Sequence, residues 1–345
     1  MRVRAGAYAA RRMRRFGLIG MLAAALLALG GCGTSSSSSA GQSATRNATL
    51  VLDFTPNAVH AGIYEALARH DDVHAGVHLH IVVPSATTDS IKLLETGRVN
   101  FALLDIHDLA IARERGKDIV GVMAIVQQPL AAVIAAPRIA NPRELDGSGA
   151  PVGITGVPSD TAVLHSIVAG AGGSPDGVKT ITIGFNAVAD LLAGKVAAAT
   201  AFWNDEGVTV RAHDPDYHVF RVDRYGAPAY PELILCATGA SLRANPGLAR
   251  SVVTALTLGY RQVLADPQAG EHALESQVQG LDPHLVHSQL HALLPAFDQP
   301  GGQVGALDPA RLRSWARWEK RFGIVTQTPD VSAMFTTRFL PAPAG

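Results

Sequence analysis

Cysteine is almost absent: Cys32 and Cys236 are the only two in 345 residues. Zinc ribbons, iron–sulfur clusters and thioredoxin-type redox pairs each need a set of cysteines, so all three are excluded. A surplus of charge of one sign is missing as well. With 29 basic against 29 acidic side chains there is no basic footprint, and nucleic acid is not an expected partner. The turn Gly153-Ile154-Thr155-Gly156-Val157-Pro158-Ser159 lacks the lysine and the glycine spacing of a Walker A loop or a dinucleotide fingerprint. No nucleophile elbow and no Ser, His, Asp set with diagnostic local spacing marks a hydrolase. A long apolar run is missing too, since the uncharged stretch 16–31 falls short of the roughly 20 residues a spanning helix needs.

What the chain has is enough apolar material to fold, 48% hydrophobic with 17% charged, which excludes a disordered or fibrous protein. Six of the 29 basic residues and none of the 29 acids fall in residues 1–31, so the remainder carries a net charge of −6. An arginine-rich start followed by a short apolar run ending in small residues reads as a secretion signal. Its end, Leu29-Gly30-Gly31-Cys32, resembles the lipobox of bacterial lipoproteins, which makes Cys32 the lipid-bearing residue. The Gly-, Thr- and Ser-rich stretch 33–41 then reads as a tether. These features predict a signal peptide over 1–31, a tether over 32–47, and a body held at the cell envelope by a lipid anchor, facing the periplasm or the exterior.

A body of about 300 residues exceeds one ordinary core and implies two domains. Strands over 49–54, 78–83, 99–104 and 118–126 alternate with helices over 58–70, 88–96 and 106–115, which predicts an α/β fold with a largely parallel sheet. A second series follows, with strands at 152–155, 179–184 and 196–202 and helices at 159–171 and 187–193. The segments 137–151 and 225–231, rich in Pro and Gly, read as the two crossings. Beyond residue 245 the pattern is helical. The expected division is a first lobe of 48–136 and 232–340 around a second lobe of 137–231. Cys236, inside Leu233-Ile234-Leu235-Cys236-Ala237, reads as a buried strand thiol.

Ligands of open α/β sheets bind beyond the carboxyl ends of strands, so the turns after the strands carry the candidates. The first turn collects Asp53, Phe54, Asn57, His60 and Tyr64, with His60 and Tyr64 four apart on one helix face; a helix cap with packing aromatics accounts for the same residues. The second holds Ser159 and Asp160 at a helix start, where free N–H groups attract acceptors, or where Ser159 simply caps. The third holds Trp203, Asn204 and Glu206, a flat aromatic beside directional donors and acceptors suited to a planar amino-heterocycle. The fourth, with Tyr230 and Glu232, either lines a cleft or stiffens a hinge. Histidines cluster at 70, 74, 78 and 80, and again at 284, 287 and 291. No adjacent acid or cysteine completes a ligand set in either case, so solvated faces and no bound metal or cofactor are expected.

Together Leu52-Asp53-Phe54-Thr55-Pro56-Asn57 with His60, Gly62 and Tyr64, then Gly156-Val157-Pro158-Ser159-Asp160, Phe202-Trp203-Asn204-Asp205-Glu206-Gly207, Tyr230-Pro231-Glu232-Leu233 and Gly259-Tyr260 resemble the thiamine-pyrimidine-synthase-like solute-binding proteins of ABC importers. The resemblance covers 49 to about 330. It implies a two-lobed, type II periplasmic-binding-protein fold of the venus-flytrap kind, acting as a monomer that hands a small molecule to a permease and its ATPase. It implies a pyrimidine precursor of thiamine as the ligand, with flavin, sulfonate or nitrate as the alternatives. By position in the motif, Phe54 replaces the tryptophan usual in that family, Asn57, His60 and Tyr64 line the first lobe, and Trp203, Asn204 and Glu206 the second. Pyrimidine synthases share the fold but carry a reactive lysine near the first turn and a cysteine-rich iron-binding tract. This chain has no lysine between Val51 and Ile91, which argues against an enzyme.

Overall fold

The computed structural model describes residues 45–86, 88–147, 149–298 and 303–342. The expected signal peptide, Cys32 and the tether up to residue 44 lie outside the described residues. The tether reading overlaps the first strand, which begins at Arg46.

Apolar runs form ten strands among the described residues. They are β1 (Arg46–Val51), β2 (Val77–Val82), β3 (Phe101–Asp105), β4 (Ile119–Ala124), β5 (Ala131–Ala135), β6 (Val152–Ile154), β7 (Thr180–Thr182), β8 (Ala198–Phe202), β9 (His218–Arg221) and β10 (Leu233–Thr238). One sheet has the order β2-β1-β3-β10-β4 and the other β7-β6-β8-β5-β9. β1 pairs in parallel with β2 and β3, and β6 with β7 and β8, as strand–helix–strand alternation requires. Four of the five strands in each sheet run the same way, so each sheet is largely parallel, as expected, with one strand reversed. β10 runs antiparallel between β3 and β4, and β5 antiparallel between β8 and β9. Both are the first strands laid down after the chain changes sheets. No helix carries them back over the same sheet, so nothing constrains them to the parallel direction.

The sheet change itself falls earlier than the composition suggests. β5, which the bounds 48–136 place with the first sheet, pairs only with strands of the second, so the chain crosses between Ala124 and Ala131. The Pro- and Gly-rich stretch 137–151 is instead a connection that returns to β6. Pro129 has no N–H to donate to a ladder, and the N–H groups of Leu130 and Ala131 go to Glu232 Oε2 at 2.6 and 2.9 Å. Glu232 stands just before β10, on the return crossing between β9 and β10. One fully buried carboxylate therefore ties the two crossings together.

The C-terminal helices pack against the first sheet. The helix Pro246–Ala265 crosses the short helix Ala61–Ala68 at a pair of glycines. A Cβ on Gly62 would enter the Tyr260 ring, and one on Gly259 would meet the Gly62 carbonyl. Tyr260 in turn donates its hydroxyl to Val59 O at 2.8 Å, pinning the turn after β1. The helix Pro309–Arg321 places Trp315 and Trp318 in the core beside His107 and Tyr230. His107 Nε2 lies 3.0 Å from the Tyr230 hydroxyl and 3.4 Å from Glu232 Oε1, and its Nδ1 pairs with Glu319. Cys236 is fully buried on β10, and burial pushes its thiol well up. Among the described residues no helix is long and apolar enough to cross a membrane.

Candidate functional site

The turns that follow the strands of both sheets converge on one cavity. From the first sheet come Asp53, Phe54 and Asn57 after β1, with Asp105 and Asp108 at the end of β3 and the start of the helix Ile106–Glu114. From the second come Thr155, Ser159 and Asp160 after β6, Phe185 after β7, and Asp205 and Glu206 after β8. Of the twelve ligand-binding residues expected from the sequence, Asp53, Phe54, Asn57, Ser159, Asp160 and Glu206 line this cavity.

Asp53, Asp160 and Glu206 each take a hydrogen bond from within their own turn, whereas Asp205 is held by a distant helix. Asn57 accepts from Val59 N through its side chain, and its backbone N–H donates to His60 Nδ1 at 3.1 Å. With Nδ1 accepting, His60 uses Nε2 to donate to Asp53 Oδ1 at 2.9 Å. His60 therefore aims Asp53 and does not line the cavity. Asp160 accepts from Thr155 Oγ1 and Gly156 N, both at 2.8 Å, and from Thr200 Oγ1 at 3.1 Å. The glycine turn that looked open to an incoming acceptor is thus already filled by the chain's own carboxyl. Asp205 accepts from Gln289 Nε2 at 2.6 Å, and Glu206 Oε2 from Phe202 N at 3.1 Å.

Among the described residues six carboxyl groups line the cavity, and no Lys, Arg or His does. Burial disfavours ionisation. It pushes Glu206 up to about 8, with the charge of Asp205 adding to it. It pushes Asp108 up to about 7, with the charge of Asp160 adding. Asp205 rises to about 6, chiefly by burial, and Asp160 is raised by burial as well. Asp105 is held well above the usual range by burial, despite the nearby His107 charge. At neutral pH the cavity therefore keeps protons that a ligand rich in N–H donors or positive charge would displace or share.

The aromatic wall differs from the expected one. Phe54 and Phe185, one from each half, meet edge to face with centroids 4.4 Å apart. Trp203 stands outside the lining. Its indole N–H donates to Pro129 O at 2.9 Å, and the Arg221 guanidinium covers its ring at 4.2 Å, so both its polar edge and one face are engaged at the crossing. Asn204 is buried beside it. Tyr64 packs with Leu274 and Val286, where burial raises its phenol. Tyr230 and Glu232 belong to the His107 network and the crossing clasp, the hinge-stiffening side of the alternative the sequence left open. Sequence reasoning passed over Asp105, Asp108, Phe185 and Asp205. Asp105 ends β3, Asp108 lies in the first turn of the helix that follows, and Phe185 follows β7, so the post-strand rule applied at those two strands finds them, while Asp205 stands in the β8 turn between the expected Asn204 and Glu206.

Residues 57–270 match the sequence family described as NMT1/THI5 like. The chain is 27% identical over 313 residues to the formylaminopyrimidine-binding protein of Halalkalibacterium halodurans, covering 89% of this chain and 93% of that one. It is 22% identical over 319 residues to the 4-amino-5-hydroxymethyl-2-methylpyrimidine phosphate synthase THI5 of Saccharomyces cerevisiae, covering 87% and 89%. Among solved structures, the alkanesulfonate-binding protein SsuA of Xanthomonas axonopodis, bound to MOPS, superposes with a TM-score of 0.66 at 15% identity, covering 85% of this chain and 99% of that one. At that identity the likeness establishes the fold: the two-sheet α/β architecture is that of the periplasmic binding proteins, as the sequence implied.

Proposed function

The chain belongs to the NMT1/THI5-like family, and on that footing we propose that it is the solute-binding lipoprotein of an ABC importer. Its ligand is a small planar amino-heterocycle, foremost a thiamine pyrimidine precursor of the hydroxymethylpyrimidine or formylaminopyrimidine type, which it hands to a permease. The observation that carries this reading is the cavity lined by six carboxyl groups, without a cation, beside an edge-to-face phenylalanine pair. An aminopyrimidine supplies what such a wall lacks: amine N–H donors, ring nitrogens that take up a proton, and a face to pack on Phe54 or Phe185.

The alternatives fare differently against that wall. A sulfonate or nitrate would meet carboxyl groups with no cation among the described lining residues to offset its charge, and the Gly156 N–H is already taken by Asp160. A flavin remains the second reading, because its ring system also offers donors and a face. Synthase chemistry finds no lysine in the cavity lining, and Cys236, the one cysteine among the described residues, is buried in β10. As a binding protein the chain needs contacts in both halves, because only a ligand that favours the closed arrangement can shift an open–closed equilibrium. Residues from both sheets supply them.

A ligand panel read by thermal shift and calorimetry tests the assignment. Aminopyrimidines are expected to raise the melting temperature and bind saturably, while sulfonates and nitrate leave it unchanged. Tighter binding of a sulfonate than of any pyrimidine would reject the reading. Anchoring is tested separately. Cys32→Ala is expected to move the protein from the membrane to the soluble fraction, and retention in the membrane would reject lipidation.

A further inference from the structure

We propose that Glu271, His287 and His291 form a binding site for a divalent transition metal of the zinc class, on the outer helices and apart from the ligand cavity. His287 and His291 stand four apart on the helix Pro283–Phe297, the spacing that puts two imidazoles on one helical face. Their ring centroids are 4.2 Å apart. The sequence alone adds His284 to this pair but no acid to complete a ligand set. Packing supplies it, because the preceding helix Pro267–Gln277 brings Glu271 Oε1 to 3.0 Å from His287 Nδ1 and 3.7 Å from His291 Nε2.

The spacing suits a metal. With bonds of about 2.0–2.2 Å, neighbouring donors of a tetrahedral zinc lie about 3.3 Å apart. All three donor atoms here fall within 4.8 Å of one another, so a small rotation of either imidazole closes the set. Two imidazole nitrogens and one carboxylate oxygen, with water in the open position, match the donor preference of zinc and its neighbours and suit calcium or magnesium poorly. The Glu271 side chain is only 13% exposed and so held by packing, whereas His287 and His291 are 59% and 50% exposed, which leaves the ion a way in. None of the three lines the cavity. A bound ion would staple the two helices across the connection 278–282, on the helix whose Gln289 supports Asp205.

The test uses untagged full-length protein stripped with a chelator and dialysed. Zinc titrated by calorimetry is expected to bind with one ion saturating this site and to raise the melting temperature, as any ligand of the native state does. His287→Ala/His291→Ala is expected to keep its fold by circular dichroism and the melting temperature of the stripped protein, yet to lose at least tenfold in zinc affinity. Glu271→Gln, which keeps the shape, is expected to weaken zinc in the same direction. Absence of saturable binding, or a double variant that binds zinc as tightly as the unaltered protein, would overturn the site.

Discussion

Glu206→Gln is expected to weaken binding of an aminopyrimidine by roughly ten- to a hundredfold while leaving the ligand-free protein folded. Burial, with the Asp205 charge adding to it, pushes Glu206 up to about 8, so at neutral pH it carries a proton. In the proposed complex that proton would go to a ring nitrogen, and the other carboxyl oxygen would accept from the exocyclic amine. Sharing the proton leaves a charge-assisted pair worth about 1.5–3 kcal/mol, which is that tenfold to hundredfold range. Glutamine keeps the neutral donor–acceptor pattern and cannot develop the charge. The same substitution has an opposite signature in stability. A carboxyl whose folded value is raised holds its proton in the native state after the unfolded chain has released it, so its contribution is present below about pH 4.5 and is lost as pH rises toward 8. The ligand-free variant is therefore expected to match the parent at pH 4.5 and to exceed it in melting temperature at pH 8. Calorimetric affinity at pH 7 and melting curves at the two pH values decide the matter, and unchanged affinity would remove Glu206 from the site.

His107→Leu is expected to cost about 3–5 kcal/mol of unfolding free energy, the largest stability loss predicted for any single side chain here. His107, Glu232 and Glu319 are all fully buried. Burial disfavours the imidazolium, but the charges of Glu319 and Asp105 and the hydrogen bonds to Glu232 and Glu319 outweigh it and hold the His107 value well above its usual one. Leucine would leave Glu319 as an uncompensated buried carboxylate and would take the partner from the Tyr230 hydroxyl. Urea unfolding measures the loss, and His107→Leu/Glu319→Gln is expected to recover part of it, since the stranded charge is then gone. A loss below about 1 kcal/mol for His107→Leu would show that the network is not held by this ion pair.

The two halves of this protein were unequally legible. Short-range signals carried the first turn: Asp53 to Tyr64 sits where a strand stops and a helix starts, and its own capping and turn chemistry is written within twelve residues. Trp203 misled because a flat aromatic beside directional donors and acceptors reads locally as a recognition residue. Only the fold shows Arg221 over its ring and Pro129 O on its N–H. Tyr230 and Glu232 misled for a related reason, since polarity beside a Pro-rich segment does not distinguish a cleft wall from a crossing clasp. His107 gave no signal at all, because its partners lie 212 positions away at Glu319 and 123 at Tyr230.

By itself the sequence determined the α/β alternation, the post-strand turns where a ligand can sit, the motifs that mark the family, and the exclusion of zinc ribbons, iron–sulfur clusters and thioredoxin-type pairs. These depend on residues close together in the chain, where periodicity, turn chemistry and spacing act directly. Tertiary structure alone decided the rest. It sent the chain across before Ala131 rather than after 136, gathered six carboxyl groups from four separate turns into one cavity without a cation, set Phe185 in place of Trp203, and carried Glu271 to His287. Each of those outcomes depends on which faces of distant elements are buried together, and on the desolvation that follows, and neither is encoded in any local window of the chain.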